Sequence, residues 1–180
     1  MAAHICFLRG VNVGGKGNVP MAELKRLFEE ELGFTNVKTL LQSGNVVFSA
    51  KAKPKGKAIE DAIEKAFGYR SDVHLMAPEA LRQIIESNPL TAEAKKDPSH
   101  TVAVIVSQAP GVGAAANLVA LAVKKEKFMV TPNAVYIFFG DAMADSKLAG
   151  AALDRALGVR GTARNWNTLN KVLELAEAIA

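Results

Sequence analysis

The order of apolar patterns along this chain constrains its fold more than any other feature. In the first half, short β-type runs alternate with segments whose apolar residues recur every three or four positions, as on one face of a helix. The predicted strands cover residues 5–8, 37–41, 46–48 and 73–76, and the predicted helices cover 21–32 and 58–67. This βαββαβ order is typical of a ferredoxin-like unit, in which two helices pack on one face of a four-stranded antiparallel sheet.

The same order begins again after residue 100. It predicts strands at 101–106, 128–130, 135–139 and 161–164, helices at 114–123 and 146–157, and a last helix that Asn165 or Asn167 would cap. We therefore expect an α+β protein of two tandem ferredoxin-like βαββαβ units with antiparallel sheets and an additional C-terminal helix. The expected division is a first unit at 1–88, a linker at 89–100 and a second unit at 101–180.

Composition favours a folded protein of the cytoplasm. The chain has 180 residues, of which 49% are hydrophobic, and this is enough for a packed core. It has neither an apolar run near the roughly 20 residues that span a bilayer nor an N-terminal signal-peptide pattern, so no membrane association is expected. Cys6 is the only cysteine, which excludes intramolecular disulfides. The 22 basic and 18 acidic side chains leave a net charge of +4, well short of dedicated nucleic-acid-binding proteins.

A glycine-rich loop follows the first predicted strand. Its glycines allow positive φ and bring backbone N–H groups close to a ligand, while two cations supply charge, so the loop is suited to an anion. The candidate ligand-binding residues in it are Arg9, Gly10, Asn12, Gly14, Gly15 and Lys16. The alternative is a long structural connection between a strand and a helix.

This loop matches a P-loop only in part. Gly10, Gly15 and Lys16 fit the pattern G-x-x-x-x-G-K, but Gly17 stands where a Ser or Thr must contact Mg²⁺. Pro20 is a natural first helical residue, so the helix begins after the loop and not at the lysine. These departures exclude a P-loop NTPase.

Two further polar clusters supply more candidate ligand-binding residues. They are Ser43 and Asn45 in the turn between the second and third strands, and Arg164, Asn165 and Trp166 at the start of the last helix. An arginine beside a helix N-terminus can bind an anion, because free N–H groups and a guanidinium then point to one place. The structural alternative is that Asn165 caps the helix and Trp166 anchors it on the core.

No other motif assigns chemistry to the chain. The run 111–116 matches the dinucleotide fingerprint G-x-G-x-x-G/A, but no acidic residue stands about 20 positions later, where the ribose needs one. The three histidines are far apart in sequence, so no metal site is predicted. No residue is marked as a nucleophile or a general base, so no catalytic residue is assigned, the cofactor is unknown, and catalysis is left open.

Three segments together resemble the bacterial family named domain of unknown function 1697. They read Leu-Arg-Gly-Val-Asn-Val-Gly-Gly-Lys at 8–16, Gln-Ser-Gly-Asn-Val-Val-Phe at 42–48 and Thr-Ala-Arg-Asn-Trp-Asn-Thr at 162–168. The resemblance extends over essentially the whole chain, with little of the signature between about 51 and 130. It implies a ferredoxin-like α+β architecture. It implies no activity and no catalytic residue.

Binding of a phosphorylated small molecule or nucleotide through the glycine-rich loop is the first of four functional hypotheses. In it the three clusters converge, the cations neutralise the ligand and the asparagines orient it. Nucleic-acid binding is the second, motivated by Lys51, Lys53, Lys55 and Lys57 and weakened by an aromatic content of only 6%. An enzyme with its chemistry in these loops is the third, and a protein-interaction scaffold is the fourth.

Overall fold

The structure, a computed structural model, describes residues 1–15, 17–122 and 126–180. By its internal contacts the chain separates into two compact units, Met1–Arg82 with Lys171–Ala180, and Gln83–Asn170. The division expected from the sequence, with a first unit at 1–88, a linker at 89–100 and a second unit at 101–180, stays a prediction.

The first unit contains one four-stranded antiparallel sheet. Its elements are β1 (Ala2–Leu8), α1 (Met21–Arg26), β2 (Thr35–Leu40), β3 (Asn45–Ala50), α2 (Gly56–Phe67), β4 (Val73–Met76) and the beginning of α3 (Pro78–Glu86). The strand order is β2-β3-β1-β4. β1 lies inside the sheet, because Cys6 pairs with Val46 on one side and with Leu75 on the other.

The second unit repeats this arrangement in the described residues. Its elements are α4 (Thr91–Lys96), β5 (Thr101–Val106), α5 (Ala114–Leu121), β6 (Lys127–Val130), β7 (Ala134–Phe138), α6 (Gly150–Leu157), β8 (Gly161–Asn165) and α7 (Trp166–Glu177), the last of which ends in the first unit. The strand order is β6-β7-β5-β8, and all its pairs are antiparallel.

Each unit has a core between its sheet and its helices, because alternate strand residues share one face of a sheet. In the first unit this core includes Cys6, Leu8, Val46, Phe48, Leu24, Phe28, Ile59 and Ile63. In the second it includes Val102, Val104, Val135, Ile137, Leu118, Leu153 and Leu157. The predicted fold class is confirmed: the protein is α+β, with two tandem ferredoxin-like units and a C-terminal helix.

Several elements differ from the sequence-based expectation. Residues 91–96, expected within an exposed linker, form helix α4, which buries only Ala94 and therefore has a polar sequence. Helix α6 begins at Gly150 and not at 146, because Ser146 lies in the irregular connection before it, where its Oγ accepts the N–H of Leu148 at 3.1 Å. For helix α5, predicted at 114–123, the expected end at residue 123 lies outside the described residues.

The predicted helix at 21–32 is α-helical only as far as Arg26. Residues Leu27–Glu31 continue it as a turn of π-helix, in which the N–H of Leu32 donates to the carbonyl of Leu27 at 3.1 Å. In the described part of the chain, no helix is both long enough and apolar enough to cross a membrane.

Candidate functional site

The glycine-rich loop, residues 9–20, is closed at its base by the side chain of Asn12. Its Nδ2 donates to the carbonyls of Val19 at 2.9 Å and Gln42 at 2.8 Å, and its Oδ1 accepts the N–H of Val19 at 2.8 Å. The backbone N–H of Asn12 also donates to Gly17 at 2.9 Å. Asn12 has a φ of 54°, a value that asparagine tolerates better than most residues. The predicted ligand-orienting amide therefore holds the loop together.

Tyr69 also holds the glycine-rich loop in place. Its hydroxyl donates to the carbonyl of Gly10 at 3.0 Å. A Cβ atom at Gly17 would lie 2.8 Å from Cε1 of the Tyr69 ring, and Gly17 has a φ of +61°. Both the space and the backbone conformation at Gly17 therefore require glycine.

The tip of the loop is open. Gly14 and Gly15 are exposed, have φ values of +60° and +74°, and would place a Cβ atom more than 4 Å from its neighbours. Two consecutive positive φ values are typical of a type I′ turn. Glycine is required here by conformation and not by packing. Lys16, predicted to supply a cation, lies outside the described residues.

Arg9 lies at the end of β1, where its guanidinium Nη1 is 3.8 Å from Oδ2 of Asp72. The two side chains are 25% and 35% exposed. The hydroxyl of Ser71 donates to the Arg9 carbonyl at 2.9 Å and accepts the Arg9 N–H at 3.1 Å. The backbone of Arg9 is thus anchored by Ser71, and the Asp72 carboxylate partly offsets the charge of its guanidinium.

The turn between β2 and β3 lies beside this loop. Asn45 is buried, and its Nδ2 donates to the Leu40 carbonyl at 2.7 Å and to Ser43 Oγ at 3.1 Å. The carbonyl of Gly44 accepts the N–H of Leu8 at 2.8 Å. With the bond from Asn12 to Gln42, these contacts bring the first two polar clusters together within the first unit.

The third cluster belongs to the second unit. Arg164 on β8 is 8% exposed, and its Nη1 donates to Thr162 Oγ1 at 2.7 Å and to the Ala163 carbonyl at 2.8 Å. Asn165 Oδ1 accepts the N–H of Thr168 at 2.9 Å, which is the capping bond expected at a helix start. The Trp166 ring lies 6.5 Å from the ring of Tyr136. The convergence of this cluster with the other two stays a prediction.

Three residues near the loop were missed by the sequence interpretation: Tyr69, Ser71 and Asp72. They precede β4 and are about 60 positions from the loop that they contact. Strand order could have found them, since a ferredoxin-like sheet pairs β1 with β4 in opposite directions. The end of β1 must then lie beside the start of β4, as the pairing of Leu8 with Val73 shows.

Metal ligands do not cluster in the described ranges. No group of three or more His, Cys, Asp or Glu residues there is placed to share an ion. The Asp97 and His100 pair, with Oδ2 and Nδ1 2.7 Å apart, joins the end of α4 to the start of β5. This hydrogen bond lowers the pKa of Asp97.

A family model described as "Protein of unknown function (DUF1697)" matches residues 1–136. The chain belongs to this family. The match includes both the glycine-rich loop and the Ser43 turn, whereas the Arg164 cluster lies beyond it. Among curated proteins, no sequence matches the chain.

A solved structure shares the fold of this DUF1697 protein. It is described as "the structure of conserved bacterial protein SP0830 from Streptococcus pneumoniae". The two are 21% identical with a TM-score of 0.69, and the similarity covers 97% of this chain and 98% of the other. At this identity the likeness concerns the fold, and it agrees with two similar units in tandem.

Proposed function

We propose that this chain is a cytoplasmic binding protein for a phosphorylated small molecule or nucleotide, with the glycine-rich loop as its anion site. The contrast between the base and the tip of the loop carries the proposal. Asn12 and Tyr69 fix the base, whereas Gly14 and Gly15 are exposed and have open space around them.

A loop that is fixed before a ligand arrives loses little conformational freedom on binding, and this favours affinity. Successive backbone N–H groups in turns form concave sites for anions. Arg9 adds a partly exposed cation at the base. Lys16 adds a second charge by sequence. A phosphate group suits such a site because it carries negative charge and several hydrogen-bond acceptors.

The other candidate residues have different parts in this proposal. Ser43 and Asn45 stabilise the β2–β3 turn, in which the Gln42 carbonyl accepts a hydrogen bond from Asn12. Their role is therefore to support the glycine-rich loop indirectly. Arg164, Asn165 and Trp166 belong to the wider hypothesis of three converging clusters, which is tested separately. The proposal includes neither a catalytic step nor a cofactor.

A thermal-shift screen of nucleotides and sugar phosphates tests the proposal. A true ligand at a hundredfold excess over its dissociation constant should stabilise the protein by about 2.7 kcal/mol. Gly14→Ala and Gly15→Ala should each lose most of this stabilisation, because a Cβ disfavours the positive φ that orients the N–H groups. Arg9→Gln should also weaken binding.

Gly68→Ala and Arg26→Gln are matched controls. Gly68 has a φ of +65° and the same open surroundings as Gly14, so both alanine variants should lose about 1–2 kcal/mol of stability. Arg26 is an exposed arginine of α1 with an acidic partner, Glu30, as Arg9 has Asp72. If no anion stabilises the protein, or if the controls lose binding equally, the proposal is wrong and an interaction scaffold becomes the better hypothesis.

A further inference from the structure

A second candidate site lies elsewhere in the first unit, in a groove next to the end of β3. Its cavity volume is about 500 Å³, within the range of roughly 300–1,000 Å³ typical of small-molecule pockets. Leu32, Phe34, Ala50 and Ile59 line its apolar side. The site is separate from the glycine-rich loop.

The apolar side of the groove rests on the core. The Phe34 ring stacks on the Phe48 ring with centroids 4.3 Å apart and planes at 24°. Phe48 is fully buried and also contacts Phe28 edge-on at 5.4 Å between centroids. Ile59 is fully buried on α2. This surface is therefore held in place and can accept an apolar group without rearrangement.

Three lysines also line the groove. Lys51, Lys53 and Lys55 all belong to the exposed connection between β3 and α2. Among the described residues, none of the three ammonium groups forms a hydrogen bond or an ion pair, and no Asp or Glu lines the groove.

The nearest acidic side chains on α2 have other partners. Glu60 accepts the N–H of Val73 at 3.1 Å, and Asp61 pairs with Lys57. Three cations therefore face an apolar concavity without a compensating negative charge. Such a combination favours a ligand that supplies both an anion and an apolar surface.

We propose that this groove binds a small amphipathic anion, with an acyl or aromatic body on the Phe34 side and a carboxylate or phosphate head at Lys51, Lys53 and Lys55. The same lysines suggested nucleic-acid binding in the sequence. Stacking a single strand requires a row of aromatic rings, whereas this groove offers one, Phe34. The concave apolar surface therefore favours a small molecule.

Isothermal titration calorimetry at low salt tests the proposal, with decanoate and decyl phosphate as probes below their micellar concentrations. Two control compounds separate the parts of the probe: acetate has the carboxylate head without the apolar chain, and decanol has the chain without the charge. We expect either or both amphiphiles to bind, and acetate and decanol to bind about tenfold more weakly or not at all. Backbone NMR shifts of Ala50, Ala58 and Ile59 should move with the bound probe.

The triple variant Lys51→Ser, Lys53→Ser and Lys55→Ser should weaken amphiphile binding by about tenfold or more. A charge-matched control replaces Lys38, Lys65 and Lys171 by serine, and should keep the wild-type affinity because these lysines lie in the same unit outside the groove. Ala58→Glu adds a negative charge at an exposed position of the groove without altering the core, and should also abolish binding.

Three results would overturn the inference. The first is that neither amphiphile binds the wild-type protein. The second is that the control triple variant loses as much affinity as the groove variant. The third is that single-stranded DNA binds at low salt through the same three lysines while both amphiphiles fail to compete with it. Gly14→Ala should leave amphiphile binding unchanged, so the two proposals can fail independently.

Discussion

The side-chain nitrogen of Asn12 lies 2.8 Å from the carbonyl oxygen of Gln42, and this bond joins the glycine-rich loop to the β2–β3 turn. The two most distinctive motifs of the sequence are therefore parts of one local structure. Asn12 acts as a clamp, with three side-chain hydrogen bonds to backbone groups.

Asn12→Ala should lower the free energy of unfolding by about 2–3 kcal/mol, because three hydrogen bonds to backbone groups are lost. Asn36→Ala is the matched control. Asn36 also has a positive φ, of 53°, but among the described residues its side chain makes a single hydrogen bond, from Nδ2 to Ser49 Oγ at 3.2 Å. Denaturant unfolding of both variants measures the difference. Equal losses would contradict the clamp.

Gly44→Ala should be more destabilising than Gly33→Ala. A Cβ at Gly44 would lie 2.6 Å from Cγ2 of Val11 and 2.7 Å from Cβ of Leu8, whereas a Cβ at Gly33 would meet nothing within 4 Å. Both glycines have positive φ, so the backbone strain that alanine introduces is similar at the two positions. We expect an additional loss of about 1–3 kcal/mol at Gly44 from overpacking. Chemical denaturation compares the two, and similar midpoints would refute this packing explanation.

Tyr136→Phe should lower stability by about 1–2 kcal/mol, because the Ile84 carbonyl loses its donor in a buried place. The hydroxyl donates to that carbonyl, near the end of α3, at 2.7 Å, and Tyr136 is 1% exposed. Burial raises the pKa of Tyr136, which keeps the donor protonated. Tyr69→Phe should lower stability by less, because the hydrogen bond from Tyr69 to the Gly10 carbonyl is exposed to solvent. The idea fails if the two variants unfold at the same denaturant concentration.

His4 should make stability depend on pH below neutrality. Burial on β1, where its ring lies 5.6 Å from that of Phe48, lowers the pKa of His4. The unfolded chain, with a histidine pKa of about 6.5, therefore binds this proton more readily. The neutral ring's contribution to the free energy of unfolding is fully present above the unfolded pKa of about 6.5 and is lost as pH falls through the lower pKa of the folded protein. His4→Gln should flatten the stability profile below about pH 6.5. If the difference in unfolding free energy between variant and wild type does not change with pH in this range, His4 is not the source of the pH dependence.

Arg164→Ala separates a structural from a ligand-binding role. The bonds to Thr162 and Ala163 predict a loss of about 1–3 kcal/mol of stability with unchanged ligand affinity of the folded protein. Denaturant melts with and without the best anion from the screen measure both quantities. A variant as stable as the wild type but with binding weakened by about tenfold or more would instead support a ligand-binding role for Arg164.

The fold could be predicted from the sequence because apolar periodicity reports which face of each element is buried. The strand at 73–76 has the predicted bounds. The start of β2 was placed two residues late, because its pairing with β3 shifts register between Thr35 and Lys38. Helix α4 was missed since it buries a single alanine and has no apolar face to detect.

The site was predicted less completely than the fold. The sequence pointed to Arg9 and Asn12, but it could not show that Asn12 bonds to backbone groups or that Arg9 faces Asp72. The cationic groove was also hidden. Its lysines were noticed as a charge cluster, whereas Leu32 and Phe34 come from a different segment and meet them only after β2 and β3 pair.

The chain crosses between its two compact units twice, since Lys171–Ala180 belongs with Met1–Arg82. Ile179 accepts a hydrogen bond from Ser49 at 3.2 Å, and Glu177 pairs with Arg82 at 2.7 Å. Along the sequence, residues 83–170 therefore separate the two segments of the first unit. A single cut of the gene therefore cannot yield that unit intact. Removing residues 83–170 and joining residue 82 to residue 171 through a short flexible linker would keep both segments of the first unit, including its last ten residues.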